Sequence, residues 1–289
     1  MWTFFTDSDT DFNLETCKEY GFRLISMPYS VDAKPVYPYV DFKTFDSKAF
    51  YDMLRTGVLP TTSALSVEQY KEYFEPEFAA GNDIFYIHFS EAMSMTFGNM
   101  RKAVDELSAR YPGRRFVDFD TKGITIISYL MVKEMADDLK AGMSVDDVVA
   151  KYEPEVNHYT QYFFADDLKF FRRSGRVGGI AATMGGLIGI RPIIYMNEEG
   201  RMVSIGKEKG RTKAIERLVS YVEEKGDDIK GHRFVIGHTD APEIVSDLAS
   251  RLKEIFGEDL DIEIVPTNPT AGSHCGPNGV GVAFHSKER

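Results

Sequence analysis

The sequence is poor in cysteine. Its 289 residues include only two, Cys17 and Cys275, which lie far apart along the chain. Two such thiols cannot supply a disulfide framework or a four-cysteine zinc site. The composition fits a reducing compartment, because disulfides persist in oxidising ones.

Long apolar runs are also missing. No stretch reaches the roughly 20 residues that a membrane-spanning helix requires. The longest, Ile180–Ile194, is interrupted by glycines, Arg191 and Pro192. The start, Met1–Thr6, lacks the basic residues and the apolar run of about 7–15 residues that mark a signal peptide. We therefore expect a protein of the cytosol.

Positive charge is in deficit. The chain carries 45 acidic and 34 basic residues, and its net charge is −11. This balance argues against a nucleic-acid partner, because phosphate backbones are bound through clustered Lys and Arg. Basic residues do gather at Lys169–Arg176 and Lys207–Arg217, and such patches can meet a phosphate or an acidic partner.

The pattern of strands and helices predicts an α/β fold with two domains. At roughly 100–200 residues per domain the length suggests two, and 43% hydrophobic residues can fill both cores. The first half alternates short apolar strands with helices, which favours a mainly parallel sheet flanked by helices. Its predicted strands are Trp2–Thr6, Phe22–Met27, Asp83–Phe89 and Arg115–Phe119. Its predicted helices begin at Asn13, at Asp46 or Ser47, at Ser66, after the Ser/Met/Thr turn that follows Phe89, at Gly123 and at Ser144.

The pattern changes near Pro154. From there strands and helices follow an α+β-like order, and Asn268–Gly281 is interpreted as a loop rich in Gly, Pro and Asn. We therefore expect an N-terminal α/β domain over residues 1–155 and a C-terminal α/β domain over residues 156–289. The predicted elements of the second part are the strands Tyr159–Phe164, Pro192–Met196, Met202–Ile205, Phe234–Gly237 and Asp261–Val265 and the helices Arg211–Glu224 and Pro242–Phe256.

Two hydroxyl-rich turns precede helices in the first half. Thr61, Thr62 and Ser63 follow Pro60, and a helix N-terminus with side-chain donors is a natural site for an anion. Ser94 and Thr96 follow a predicted buried strand, where open α/β sheets bind ligands. Ordinary helix capping explains either turn equally well. Two such turns in one domain favour a ligand, because both can face the same crevice.

A third candidate is His274 in the segment His274–Gly281. Its glycines let the backbone approach a ligand closely, and an imidazole can donate to a carboxylate. The alternative is a loop histidine in water. The neighbouring Cys275 is a poor candidate for a nucleophile, because nothing in the sequence marks an oriented base for it.

An enzymatic alternative comes from clustered acids. Asp7, Asp9 and Asp11 follow the first strand, and Asp118 and Asp120 close a later one. Carboxylates at strand ends can bind Mg²⁺, so a metal-dependent phosphohydrolase using Asp7 and Asp9 is the rival function. Surface acids in capped turns are the more common reason for such a pattern.

Taken in order, these pieces resemble the DegV family of fatty-acid-binding proteins over nearly the whole chain. Each piece is weak alone, but their order and spacing are specific. The matching segments are Asp7-Ser8, Pro60-Thr61-Thr62-Ser63, Phe89–Phe97, Asp166-Asp167-Leu168, Ser174-Gly175-Arg176-Val177, Gly189–Ile193, Lys209-Gly210-Arg211 and His274–Gly281.

The resemblance implies a binding protein and no catalytic role. An acyl chain is expected between or beside the two domains, with neither a metal nor another cofactor. The resemblance also implies presentation of the acid to a kinase subunit, whose acyl-phosphate product feeds phospholipid synthesis, and it leaves room for a transient membrane contact. Arg176 and Arg211 are expected to contact the kinase or the acyl-phosphate. The residues expected to hold the carboxylate are Thr61, Thr62, Ser63, Ser94, Thr96 and His274.

The chain departs from the family pattern at three places. Met95 stands where the family has glycine in Leu-Ser-Gly-Thr-Tyr, which predicts a flexible thioether at the pocket wall. Glu91 stands where a second serine is common and places an acid near the carboxylate site unless it points away. The family's His-Thr-Gly-Pro-Gly is here His274-Cys275-Gly276-Pro277-Asn278.

Overall fold

The computed structural model describes residues 1–178 and 189–289. Residues 179–188, which hold most of the apolar stretch Ile180–Ile194, lie outside this part. No helix among the described residues is long and apolar enough to cross a membrane.

The first sheet has four parallel strands in the order β2-β1-β6-β7. Asn13 and Ser66 cap the first and third helices as the sequence predicts, and Ser66 forms a reciprocal capping box with Gln69. The predicted parallel sheet flanked by helices is therefore confirmed. The strands are β1 (Trp2–Asp7), β2 (Phe22–Ile25), β6 (Asp83–His88) and β7 (Phe116–Asp120). The helices are α1 (Leu14–Tyr20), α2 (Ser47–Arg55), α3 (Val67–Ala79), α4 (Thr96–Arg110), α5 (Ile126–Lys140) and α6 (Val145–Tyr152).

A small antiparallel sheet was not predicted. It joins β3 (Tyr29–Val31), β4 (Lys34–Val36) and β5 (Thr61–Thr62) in the order β4-β3-β5. These strands have two or three residues each, too few to show a period of two. The sheet matters because it fixes Thr62, which is paired with Tyr29.

The second sheet is mixed and has seven strands in the order β13-β12-β14-β8-β10-β11-β9. Strands Ile190–Met196 and Met202–Lys209 pair antiparallel as a hairpin. The strands are β8 (Tyr159–Phe164), β9 (Val177–Gly178), β10 (Ile190–Met196), β11 (Met202–Lys209), β12 (Phe234–His238), β13 (Ile262–Pro266) and β14 (Val280–His285). The helices are α7 (Lys169–Ser174), α8 (Arg211–Lys225), α9 (Pro242–Phe256) and α10 (Pro269–Cys275).

The expectation of a loop over Asn268–Gly281 was wrong. The segment forms α10 and the start of β14. Asn268 caps the helix by accepting a hydrogen bond from the Ala271 backbone N–H at 2.9 Å, and Pro269 occupies the first turn. Both residues are standard signals for a helix start. The high content of Gly and Pro in the segment made these signals hard to recognise.

The hydrophobic core is shared between the two halves of the chain. One cluster of buried side chains includes Phe85 and Ile127 together with Tyr159, Val235 and Ala283. A second cluster lies within the seven-stranded sheet and its helices. The division at residue 155 stays a prediction, although each of the two larger sheets is built from one side of it.

Candidate functional site

A cavity of about 280 Å³ is lined by residues of both halves. Most of its wall is apolar, and its polar lining includes four of the six residues that the sequence indicated for the headgroup, Thr62, Ser63, Ser94 and His274. Such a cavity can enclose a chain of carbon atoms and hold a polar end group. The apolar wall includes Met27, Phe89, Met93, Ile126, Phe163, Phe164 and Val280.

One part of the lining is exposed and another is buried. Met95 is 85% exposed and, with the exposed Ser63 and Arg176, marks the mouth of the cavity. Ile126 is 2% exposed and Phe164 is 0% exposed. The cavity therefore extends from a polar mouth at the surface into the core. The predicted thioether of Met95 lies at this mouth.

Thr62 and His274 form the central polar pair of the site. The hydroxyl Oγ1 of Thr62, on β5, lies 2.9 Å from the imidazole Nε2 of His274, on α10. Burial, followed by the nearby Arg176 and Arg173, lowers the pKa of His274 to about 4, so the ring is neutral at pH 7. His274 Nδ1 is buried without a hydrogen-bond partner in the described structure. Whichever tautomer is present, one hydrogen of this pair has no acceptor among the described residues.

Ser94 follows a 3-10 turn over Glu91–Met93, directly after β6. Its Oγ accepts a hydrogen bond from the Thr96 backbone N–H at 3.2 Å, which leaves the hydroxyl hydrogen to donate. The turn is anchored by Ser90, whose hydroxyl donates to the Gly200 carbonyl at 2.8 Å. Gly200 is required there, because a Cβ would lie 2.2 Å from Ser90 Oγ. Ser94 is thereby held at the cavity wall.

Two of the six predicted headgroup residues do not line the cavity. Thr61 and Thr62 are neighbours on one strand, so their side chains point to opposite faces, and Thr61 is the exposed one. Thr96 is 1% exposed. Its hydroxyl accepts from the Leu65 backbone N–H at 3.1 Å and lies 3.0 Å from the Tyr70 hydroxyl. Thr96 therefore joins α4 to the segment before α3.

Known proteins are similar to this chain over nearly its whole length. The family model described as "Uncharacterised protein, DegV family" matches residues 1–287. The chain belongs to the DegV family. A DegV domain-containing protein of Clostridium perfringens is 30% identical over 280 residues, which cover 97% of this chain and 96% of the relative. A second relative, from Caldanaerobacter subterraneus, is 26% identical over 285 residues and 98% of both chains.

Solved DegV structures share the fold. A stearic-acid-binding protein from Eubacterium ventriosum has a TM-score of 0.87 at 20% identity, over 99% of both chains. A DegV protein from Thermus thermophilus, described for its fatty-acid binding, has a TM-score of 0.84 at 23% identity, again over 99% of both chains. At these identities the likeness establishes the architecture of this DegV chain.

The two arginines that the DegV resemblance singled out lie in different surroundings. Arg176 lines the mouth of the cavity, and its guanidinium donates to the Ser174 carbonyl at 2.7 Å. Arg211, at the start of α8, donates to Asp166 at 2.7 Å. Arg191 binds the same carboxylate at 2.7 Å. Arg211 is outside the cavity lining, and Asp166 fixes its orientation.

The rival metal site at Asp7 and Asp9 is not supported. Asp7 accepts hydrogen bonds from the Asp9 backbone N–H at 2.9 Å, from the Tyr86 hydroxyl at 3.0 Å and from the Phe89 backbone N–H at 3.2 Å. Its carboxylate is therefore used to hold the turn. Burial raises its pKa to about 6, although His88 and these hydrogen bonds lower it.

Among the described residues, the three side chains close enough to share a metal ion are His88, Glu91 and Asp118. Arg101 already forms ion pairs with Glu91 and, at 4.0 Å, with Asp118. Arg101 therefore already supplies the positive charge that a metal ion would supply at this position. The carboxylate of Glu91 consequently points to Arg101, and it is not part of the cavity lining.

Sequence reasoning missed the polar residues of the inner wall. Asp9, Thr125, Gln161, Thr239 and Thr267 all line the cavity. The sequence marks Asp9 only as a candidate metal ligand, and the others lie on separate elements with no shared motif. Burial raises the pKa of Cys275, which also lines the cavity, to about 12. Its thiol is therefore protonated at pH 7, in agreement with the view that it is not a nucleophile.

Proposed function

We propose that this protein binds a long-chain fatty acid, buries the acyl chain in the cavity and holds the carboxylate with Thr62, Ser63, Ser94 and His274. One observation carries the proposal. An apolar cavity built from both halves of the chain has unpaired neutral donors in its lining, and its mouth is open to the surface.

The energetics favour a long apolar tail. Each buried CH₂ group stabilises a complex by about 0.8 kcal/mol, so the tail supplies most of the affinity. A buried carboxylate without partners costs several kcal/mol. The hydroxyl of Ser94 and the free hydrogen of the Thr62–His274 pair offset this cost, because a hydrogen bond to a charged group contributes about 1.5–3 kcal/mol. Arg176 adds positive charge at the mouth.

The related structures support the same ligand class. The protein from Eubacterium ventriosum is described as binding stearic acid and the one from Thermus thermophilus as binding fatty acid. Both share the fold that brings β5, the turn after β6 and α10 to one cavity in this chain.

Ser94→Ala tests the headgroup assignment. Delipidated protein is titrated with stearic acid, and the variant is expected to bind roughly 10-fold more weakly, because one hydrogen bond to a charged group is lost. Ser66→Ala is the matched control. It removes a helix cap from α3 outside the cavity, so it lowers stability but leaves the affinity unchanged. If Ser94→Ala retains the wild-type affinity, the assignment is wrong.

We further propose that the bound acid is presented to a kinase subunit, which forms acyl-phosphate for phospholipid synthesis. In support, the mouth carries Arg176, and Asp166 holds Arg211 and Arg191 as a fixed pair of guanidinium groups. The test is formation of acyl-phosphate from ATP when loaded protein is mixed with a fatty acid kinase subunit. Arg176→Glu and Arg211→Glu are expected to reduce the rate. Equal rates with and without this protein contradict the proposal.

A further inference from the structure

The cavity contains a second polar position, at Asp9. Asp9 lies in a 3-10 turn over Ser8–Thr10 that directly follows β1. It is 6% exposed, and it belongs to the cavity lining. Its position contrasts with the exposed mouth marked by Ser63 and Met95. A chemical group on the ligand that meets Asp9 is therefore enclosed by protein.

The backbone of Asp9 is fully bonded, whereas its carboxyl group is not. Its N–H donates to Asp7 Oδ1 at 2.9 Å, and its carbonyl accepts from the Thr125 N–H at 2.7 Å. Oδ1 is buried without a hydrogen-bond partner, and the described residues offer none to Oδ2 either. The turn is thus held rigidly while the side chain has unused hydrogen-bonding capacity.

The surroundings favour the protonated form of this carboxyl group. Burial, together with the nearby Asp7 and Asp11, raises the pKa of Asp9 well above its ordinary value. A protonated carboxyl group has one O–H donor and free acceptor positions. It can therefore exchange two hydrogen bonds with an alcohol, which is both donor and acceptor.

The cavity lining also includes a hydroxyl group, on Thr267. Thr267 lines the same cavity and is 6% exposed. Its neighbour Asn268 donates two hydrogen bonds, from its backbone N–H and its side-chain amide, to Asp11 Oδ1, both at 2.8 Å. These bonds hold the segment of Thr267 against the turn that carries Asp9. The inner wall is consequently more polar than a plain hydrocarbon tail requires.

We propose that the cavity selects acyl chains that carry a hydroxyl group within the chain, and that Asp9 is the residue that binds this hydroxyl. The proposal rests on the fatty-acid-binding function above and names its substrate class. A site with buried hydrogen-bonding groups disfavours a ligand that leaves those groups unpaired. A plain saturated chain leaves Asp9 unpaired, whereas a hydroxylated chain does not.

The test compares stearic acid with hydroxystearic acids that differ in the position of the hydroxyl. Affinities are measured by titration of delipidated wild type, Asp9→Leu and Asp9→Asn. We expect one positional isomer to bind wild type at least 10-fold more tightly than stearic acid. Asp9→Leu removes that preference and strengthens stearic-acid binding, and Asp9→Asn keeps part of the preference because an amide can still donate and accept.

Several outcomes separate this inference from the proposed function. If stearic acid binds wild type but no isomer is preferred, the inference is overturned and the fatty-acid function stands. If the preference persists in Asp9→Leu, Asp9 is not the residue responsible. Binding of none of the acids overturns both. Ser94→Ala serves as the control, because it weakens the binding of all the acids alike and leaves the ratio of their affinities unchanged. If Asp9→Leu fails to fold, the wild-type series still tests the preference for hydroxylated chains, and Asp9→Asn tests the role of Asp9.

Discussion

At the residue scale, the proposed headgroup site depends on neutral donors in fixed positions. Ser94 accepts from a backbone N–H and keeps its hydrogen to donate, and the Thr62–His274 pair has one hydrogen to spare. The sequence predicts that Ser94 and Thr62 lie near a ligand, because hydroxyl groups in turns before helices are recognisable. It could not separate Thr62 from Thr61, since that choice depends on the pairing of β5 with β3.

The two faces of β5 provide a matched pair of variants. Thr62→Val removes the hydroxyl while keeping the shape, so we expect fatty-acid affinity to fall roughly 5–10-fold through loss of one hydrogen bond. Thr61→Val changes the same chemical group on the exposed face and should leave the affinity unchanged. Equal effects of the two variants in a stearic-acid titration would show that the cavity face does not bind the carboxylate.

The buried acid Asp11 predicts a dependence of stability on pH. Burial raises its pKa from 3.8 to about 7, although its hydrogen bonds from Asn268 lower it. The folded state therefore holds a proton that the unfolded state has lost, so the free energy of unfolding falls as pH rises through about 7. Asp11→Asn keeps the oxygen that accepts from Asn268 and should reduce this fall.

The measurement is denaturant unfolding between about pH 6.5 and about pH 7.5, where the half-protonated group contributes about 0.7 kcal/mol over one pH unit. His274, whose pKa is lowered from 6.5 to about 4, acts in the opposite direction mainly below about pH 6.5. Asp7 also contributes near pH 6. If the free energy of unfolding of Asp11→Asn falls with pH as steeply as that of the wild type, a protonated Asp11 is contradicted.

At the element scale, the long helices were predicted well and the short, non-local elements were not. Ser66 and Asn13 are local capping signals, and the structure confirms both helices. β4 and β5 have no local signal, because each becomes a strand only when β3 is beside it. α10 did have a local signal, the Asn268 cap followed by Pro269. The signal was obscured by nearby glycines, which are present because the backbone packs closely against neighbouring residues.

Gly281 on β14 shows why the segment is rich in glycine. A Cβ at this position would lie 2.6 Å from Phe163 Cβ on the neighbouring strand. We expect Gly281→Ala to lower the free energy of unfolding by about 1–3 kcal/mol through overpacking. Gly98→Ala, on the exposed face of α4 with nothing within 4 Å, should instead raise it by up to about 1 kcal/mol. Denaturant unfolding of both variants checks the contrast, which an unchanged Gly281→Ala protein would contradict.

At the scale of the whole molecule, the cavity exists because two sheets share one core. Residues before 155, such as Ile126, and residues after it, such as Phe164, form the same wall. The sequence predicted both α/β halves and, through the family resemblance, a ligand between them. It could not predict the inner polar residues, because Asp9, Gln161 and Thr267 meet only after the seven-stranded sheet has assembled.

Native mass spectrometry shows whether this chain buries a long-chain fatty acid. The protein is purified gently without detergent, its mass is measured intact, and any bound molecule is released and identified. We predict one fatty acid per chain, and a hydroxylated acid in preference to a plain one when both are offered in equal amounts. Protein that is consistently empty, and that stays empty after incubation with stearic and hydroxystearic acids, would contradict it.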